Sequence, residues 1–200
     1  MKLAASQQLY SYWSELRGAR SAPERNDIDP GAIRAILADA FILEFDAQRA
    51  FPMRIVGTRT NALFLRELRG APFLDLWRED DRQEMRAILA SVADEAQPFV
   101  IGAAGTPLGF APVDIEMLLL PLRHHGHTHA RILGCCAPKA APHWLGLLAV
   151  QFLALLTLRA LGPREPGFNE QPPQPEGPHD FGRAPRLDRR GHLFLYSADR

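Results

Sequence analysis

Residues 79–137 read EDDRQEMRAILASVADEAQPFVIGAAGTPLGFAPVDIEMLLLPLRHHGHTHARILGCCA. The hydrophobic period changes once inside this stretch, and that change decides the fold. From Glu79 to Glu95, the residues Met85, Ile88, Leu89 and Val92 recur at helical spacing and make one apolar stripe. Glu79, Asp80 and Asp81 stand in the first turn, where the helix macrodipole favours negative charge. Pro98 ends the helix. Beyond it the period falls to two, and Phe99–Thr106, Pro112–Leu122 and Thr128–Ala137 read as three strands. In the longest, Val113, Ile115, Met117 and Leu119 alternate with Asp114 and Glu116.

Working back towards the N-terminus, Phe41–Phe45 and Phe51–Gly57 are two more strands around the polar turn Asp46-Ala47-Gln48-Arg49. So short a link predicts an antiparallel hairpin, with Met53 and Ile55 sharing a face. Thr58 opens a short helix carrying Leu63 and Leu68, and Phe73-Leu74 with Trp77 forms a further turn. Asp29 as N-cap and Pro30 at the first helical position predict a helix over 30–39. Residues 6–18 form an N-terminal helix with Leu9, Trp13 and Leu16 on one face, stopped by Gly18. Two strands, a helical crossover and three strands give an α+β antiparallel sheet with helices on one face.

Towards the C-terminus, Trp144–Leu161 is mostly apolar. Gln151, Thr157 and Arg159 interrupt it, so it reads as a buried element and not a membrane span. Residues 163–186 are rich in Pro, Gly and charge and bury too little to offset their ordering entropy. The expected division is 1–22 as helix and linker, 23–161 as the domain, and 162–200 as a Pro-rich disordered tail. Within that tail, 191–196 regains strand character.

The 200 residues carry 23 Lys+Arg and 23 Asp+Glu, a formal net charge of zero. That balance lacks the basic footprint of a nucleic-acid binder and the polybasic run that holds a chain on an anionic membrane. The N-terminus has no apolar signal-peptide region. The two cysteines, Cys135 and Cys136, are adjacent and cannot staple distant loops, which suits a reducing cytoplasm.

Residues that carry chemistry are few. His124-His125-Gly126-His127-Thr128-His129 offers imidazoles, with His125, His127 and His129 as candidate metal ligands, but the run holds no acid. A solvated hairpin turn explains it as well. Cys135 and Cys136 point to opposite faces of a strand. Glu116 sits among apolar residues and is one candidate acid/base for an enzymatic reading, a His124-cluster residue being the other. Alternation instead places it on a solvent or partner face with Asp114. Asp27 and Asp29 resemble paired carboxylates, yet a turn and a cap account for both. No nucleophile elbow, phosphate-cradling Gly loop or His-Glu-x-x-His helix is present.

Taken together, Arg25-Asn26-Asp27-Ile28-Asp29-Pro30, Arg54-Ile55-Val56-Gly57-Thr58, Glu116 with Leu118, Pro121 and Leu122, and Arg131-Ile132-Leu133-Gly134 follow one another in a recognisable order. With Trp144-Leu145-Gly146 and Thr157-Leu158-Arg159, the chain over about residues 8–161 resembles a bacterial, alphaproteobacterial-type PAS-like family that opens on Arg-x-Asp-Ile-Asp-Pro. The resemblance implies a five-stranded PAS-like antiparallel sheet with a helical crossover and an N-terminal flanking helix. It implies a non-enzymatic cytoplasmic sensory, signalling or adaptor module that binds a small apolar ligand or a partner protein. It brings no catalytic residues with it. Ile55, Phe64, Trp77, Ile88, Val92, Phe99, Met117 and Ile132 lie on the inferred inner faces and are the ligand-pocket candidates. Leu9, Trp13 and Leu16 are candidates for a homodimer seam. The photoactive flavin-binding PAS motif is Asn-Cys-Arg-Phe-Leu, and here Asn61-Ala62-Leu63-Phe64-Leu65 has no cysteine. Residues 58–96 hold no histidine for haem. Flavin and haem are therefore disfavoured, and the cofactor is unknown.

Overall fold

In a computed structural model the chain is described over residues 1–46, 50–124, 127–162, 188–190 and 193–195, with backbone alone for 127–129 and for the last two segments. The hairpin strands are β1 (Ala40–Glu44) and β2 (Met53–Val56). A short helix α2 (Thr58–Phe64), a 3₁₀ turn (Phe73–Leu76) and the long helix α3 (Glu79–Asp94) form the crossover. Then follow β3 (Phe99–Pro107), β4 (Val113–His124) and β5 (His127–Pro138). These five strands pair antiparallel in the order β2-β1-β5-β4-β3.

The apolar segment after Trp144 becomes a sixth strand, β6 (Val150–Ala160), antiparallel to β3. The backbone of β7 (Asp188–Arg190) and β8 (Leu193–Leu195) extends the sheet beyond it, with β8 parallel to β6. The rest of the expected tail lies outside the described residues. Two contacts fix β6 to the crossover. Arg78 N–H donates to the Leu153 carbonyl at 2.9 Å, and Leu155 N–H donates to the buried Asp81 carboxylate at 3.0 Å. Asp81 thus has a specific partner beyond the helix dipole.

The sheet separates two cores. On its inner face α2 and α3 cover Phe41, Met53, Ile101, Met117, Ile132 and their neighbours. On its outer face α1 (Ala4–Arg17) covers Val100, Leu118, Leu120, Leu133 and Cys135. Leu9 and Trp13 of α1 are fully buried there, and the indole N–H of Trp13 donates to the Pro121 carbonyl at 2.8 Å. The expectation that this stripe faces a second chain is corrected for Leu9 and Trp13. An isolated helix of this length is marginal in water, and the apolar outer face of β4 and β5 is the nearest surface that can bury it. Leu16, at the end of the stripe, is only partly buried.

The expected helix over 30–39 is a chain of separate turns. Successive bonds run from Ala32 to Asp29, Arg34 to Gly31, Ile36 to Ile33 and Asp39 to Ile36, all of the i to i−3 kind. The Asp29 carboxylate takes the Gly31 N–H at 2.8 Å. The Ala38 carbonyl is claimed by Arg59 and Thr60 N–H at the start of α2, at 2.8 and 3.2 Å. Gly57 makes that approach possible, since a Cβ there would stand 2.3 Å from the Ala38 oxygen. Docking on the β2–α2 junction thus overrides helix propensity. Gly57, and not Thr58, is the N-cap of α2.

Candidate functional site

Seven of the eight expected pocket residues, Phe64, Trp77, Ile88, Val92, Phe99, Met117 and Ile132, meet in the inner core. Their neighbours occupy the space between sheet and helices. Phe41 stacks on Phe73 at 5.6 Å between ring centroids, and Phe73 lies 6.0 Å from Trp77. Gly134 admits the Phe41 ring, because a Cβ on Gly134 would lie 2.3 Å from Phe41 Cζ. The indole N–H of Trp77 is buried with no acceptor among the described residues.

Ile55 is the exception and a correction. A bulge lets Ile42 face Ile55 while Leu43 faces Met53, so Arg54 is an extra residue and the alternation slips by one. Met53 therefore points into the core, and Ile55 emerges on the outer face at 48% exposure. There it lines an apolar pocket of about 190 Å³. Ile28 and Ile33 of the opening segment and Ile42 and Leu133 of the sheet form its walls, with Leu37 exposed beside Ile55.

The opening motif builds this pocket. Arg25, Ile28 and Pro30 line it. Asp27 accepts the Glu24 N–H at 3.0 Å and pairs with Arg20 at 2.9 Å. Asp29 N–H donates to the Tyr12 hydroxyl of α1 at 2.7 Å. The Asp27 carboxylate thus holds a turn, as expected, whereas the Asp29 carboxylate, on the Gly31 N–H, starts the run of turns and caps no helix. Sequence reading passed over Asp39 and Arg59 nearby. The buried Asp39 carboxylate takes two bonds from Arg59, Nε at 2.7 Å and Nη2 at 2.5 Å, and this raises the Arg59 pKa. An acid at a strand start and an arginine twenty residues on carry no local signal of pairing.

Glu116 lies on the face opposite the inner core, as alternation requires, but α1 covers it and only 4% remains exposed. Burial alone would raise its pKa. Hydrogen bonds from Lys2 N–H, the Ser6 hydroxyl and Leu3 N–H outweigh that and hold the carboxyl below the usual glutamate value. A carboxylate so engaged is not poised to move protons.

Cys135 and Cys136 are both buried, one in each core as strand alternation requires, and Cys135 faces α1 with its Sγ 3.8 Å from the Ser6 hydroxyl. Burial pushes Cys135 up to about 12 and raises Cys136 as well. The side chains of His125, His127 and His129 lie outside the described residues. Among the described residues no group of three or more His, Cys, Asp or Glu is placed to hold a metal ion. No helix among them is long and apolar enough to cross a membrane.

No curated protein sequence matches the chain. Solved structures similar to it include the LOV protein of Rhodobacter sphaeroides, with a TM-score of 0.43 and 13% identity over 58% of this chain and 71% of that one. The PAS domain of a Colwellia psychrerythraea protein has a TM-score of 0.41 and 15% identity over 55% of this chain and 97% of that one. An RNA-binding light-oxygen-voltage receptor has a TM-score of 0.38 and 14% identity, over 52% of this chain and 31% of that one. None of these lends support to the expectation against flavin, and none identifies a cofactor. The family model for the PAS domain matches residues 1–137, which takes in α1, the motif segment and all five expected strands but neither closing segment. The chain belongs to the PAS domain family.

Proposed function

We propose that this chain is a non-enzymatic sensory or adaptor module, bacterial and cytoplasmic, whose recognition site is the apolar pocket between the Arg25–Pro30 segment and strands β1, β2 and β5. The observation that carries the reading is that pocket, whose wall is almost wholly apolar and whose rim exposes Leu37 and Ile55 to solvent. A cavity of this size suits a small apolar ligand or one apolar side chain of a partner protein. A second copy of the chain is the simplest such partner. With Leu9 and Trp13 spent inside the fold, a homodimer seam would run through Leu37 and Ile55. The inner-core residues around Trp77 remain the alternative seat for a ligand. The family's sensory character and the engagement of Glu116 support a role without catalysis, and an alphaproteobacterial subfamily marked by the opening motif is part of the same proposal.

The test is methyl NMR of the isoleucines during titration with toluene as a minimal apolar probe. Shifts at Ile28, Ile33 and Ile55, lost in Ile55→Glu, are expected. Shifts confined to Ile88 and Ile132 would move the site to the inner core.

A further inference from the structure

A second groove, of about 360 Å³, opens on the outer face where the start of α1 meets β3, β4 and β6. Its charge is unusual for this chain. Only two of the 200 residues are lysine, Lys2 and Lys139, and both line this groove together with Arg159. Lys139 pairs with Asp114 at 2.9 Å. Lys2 and Arg159 have no acidic partner among the described residues. The one acid in the lining is Glu116, and its oxygens are taken by the Lys2 and Leu3 N–H groups at 2.7 and 3.0 Å. Glu116 remains an anion and is faced by the Met1 α-ammonium, so Lys2 and Arg159 are left as two positive charges without an anion among the described residues. The floor is bare at Gly102, where a Cβ would stand 2.4 Å from the Thr157 hydroxyl. That hydroxyl lines the groove and makes no hydrogen bond among the described residues.

We propose that this groove binds a small organic phosphate monoester. A monoester carries roughly −1.5 to −2 at neutral pH, which matches the two unpaired cations. The Arg159 guanidinium offers a planar fork suited to phosphate oxygens, and the lysines offer mobile point charges. Thr157 adds a neutral donor, and the volume leaves room for an organic group beside the phosphoryl. This site is separate from the apolar pocket, with a different lining and opposite chemistry, so either can fail without the other.

The test is a titration of the full chain with phenyl phosphate, inorganic phosphate and benzoate, followed by amide NMR at Gly102 and Thr157. Saturable binding of phenyl phosphate is expected, weakened about tenfold or more in Arg159→Gln and in Lys2→Gln. Arg159 is exposed and has no ion-pair partner among the described residues, so its replacement leaves the fold intact, which the unchanged remainder of the spectrum verifies. Absence of saturable binding, or binding by both variants equal to that of the wild type, overturns the site. Equal affinity for inorganic phosphate or for benzoate overturns the monoester assignment.

Discussion

The carboxylate of Glu116 accepts the backbone N–H of Lys2 at 2.7 Å, and so joins the middle of β4 to the start of α1 across 114 positions of sequence. It also accepts the N–H of Leu3, the N-cap of α1, at 3.0 Å, and so serves a donor that the helix start leaves unpaired together with the N–H of the residue before it. A residue that reads as a candidate acid/base is thereby a fastener for the flanking helix.

Replacing Glu116 by Gln removes the charge and keeps the shape. Hydrogen bonds to a charged group contribute about 1.5–3 kcal/mol, and a loss of that order at neutral pH is expected in denaturant titrations. The native carboxyl titrates below its unfolded value, so its contribution is complete above the ordinary glutamate pKa of 4.5 and is lost as pH falls through the folded value. The wild type should therefore lose this margin on the acid side, and Glu116→Gln should show a flatter profile there. Matching acid profiles would refute the tether.

Trp13 carries the second prediction. Trp13→Ala should cost about 3–5 kcal/mol of folding stability, the range for truncating a buried aromatic. Light scattering should show no change in association that is not explained by unfolding. A well-folded Trp13→Ala chain that merely dissociates would restore α1 as a dimer seam.

Gly134→Ala tests the packing under Phe41. The added methyl meets the ring and the Leu118 carbonyl, at 2.3 and 2.8 Å before relaxation. Overpacking of this kind costs about 1–3 kcal/mol, and a compensating Phe41→Leu should recover part of it in a double-mutant cycle. Strictly additive losses would show that ring and glycine are not coupled.

The thiols give the fourth. With Cys135 pushed up to about 12 and Cys136 raised too, neither forms thiolate at neutral pH in the folded chain. Ellman's reagent should react with both only at the rate of unfolding. Immediate modification of one thiol in native buffer would contradict its burial.

The order of elements was legible because the period switch at Pro98 and the hairpin turn at 46–49 are local signals. The α3 stripe and the alternation of β4 placed Met85, Val92 and Met117 correctly in one core. What failed to show was set by tertiary contact. The bulge at Arg54 is invisible in a four-residue strand, yet it turned Ile55 outward. The 30–39 segment carries a helix start signal, and the grip of α2 on Ala38 overrode it. The partners of Glu116, Asp39 and Asp81 lie between 20 and 114 residues away, where no spacing rule applies.

The hold of Asp81 on Leu155 bears on how the protein can be divided. The family match stops at residue 137, but α3 and the core depend on a strand beyond it. A piece cut at that boundary would strip β3 of its neighbour on one side, leaving the alternate backbone donors and acceptors that face β6 open along an apolar edge. It would also leave a carboxylate in the interior without its N–H. The cooperative unit is thus longer than the homologous one, and the added strand serves the molecule as a built-in guard against edge-to-edge aggregation.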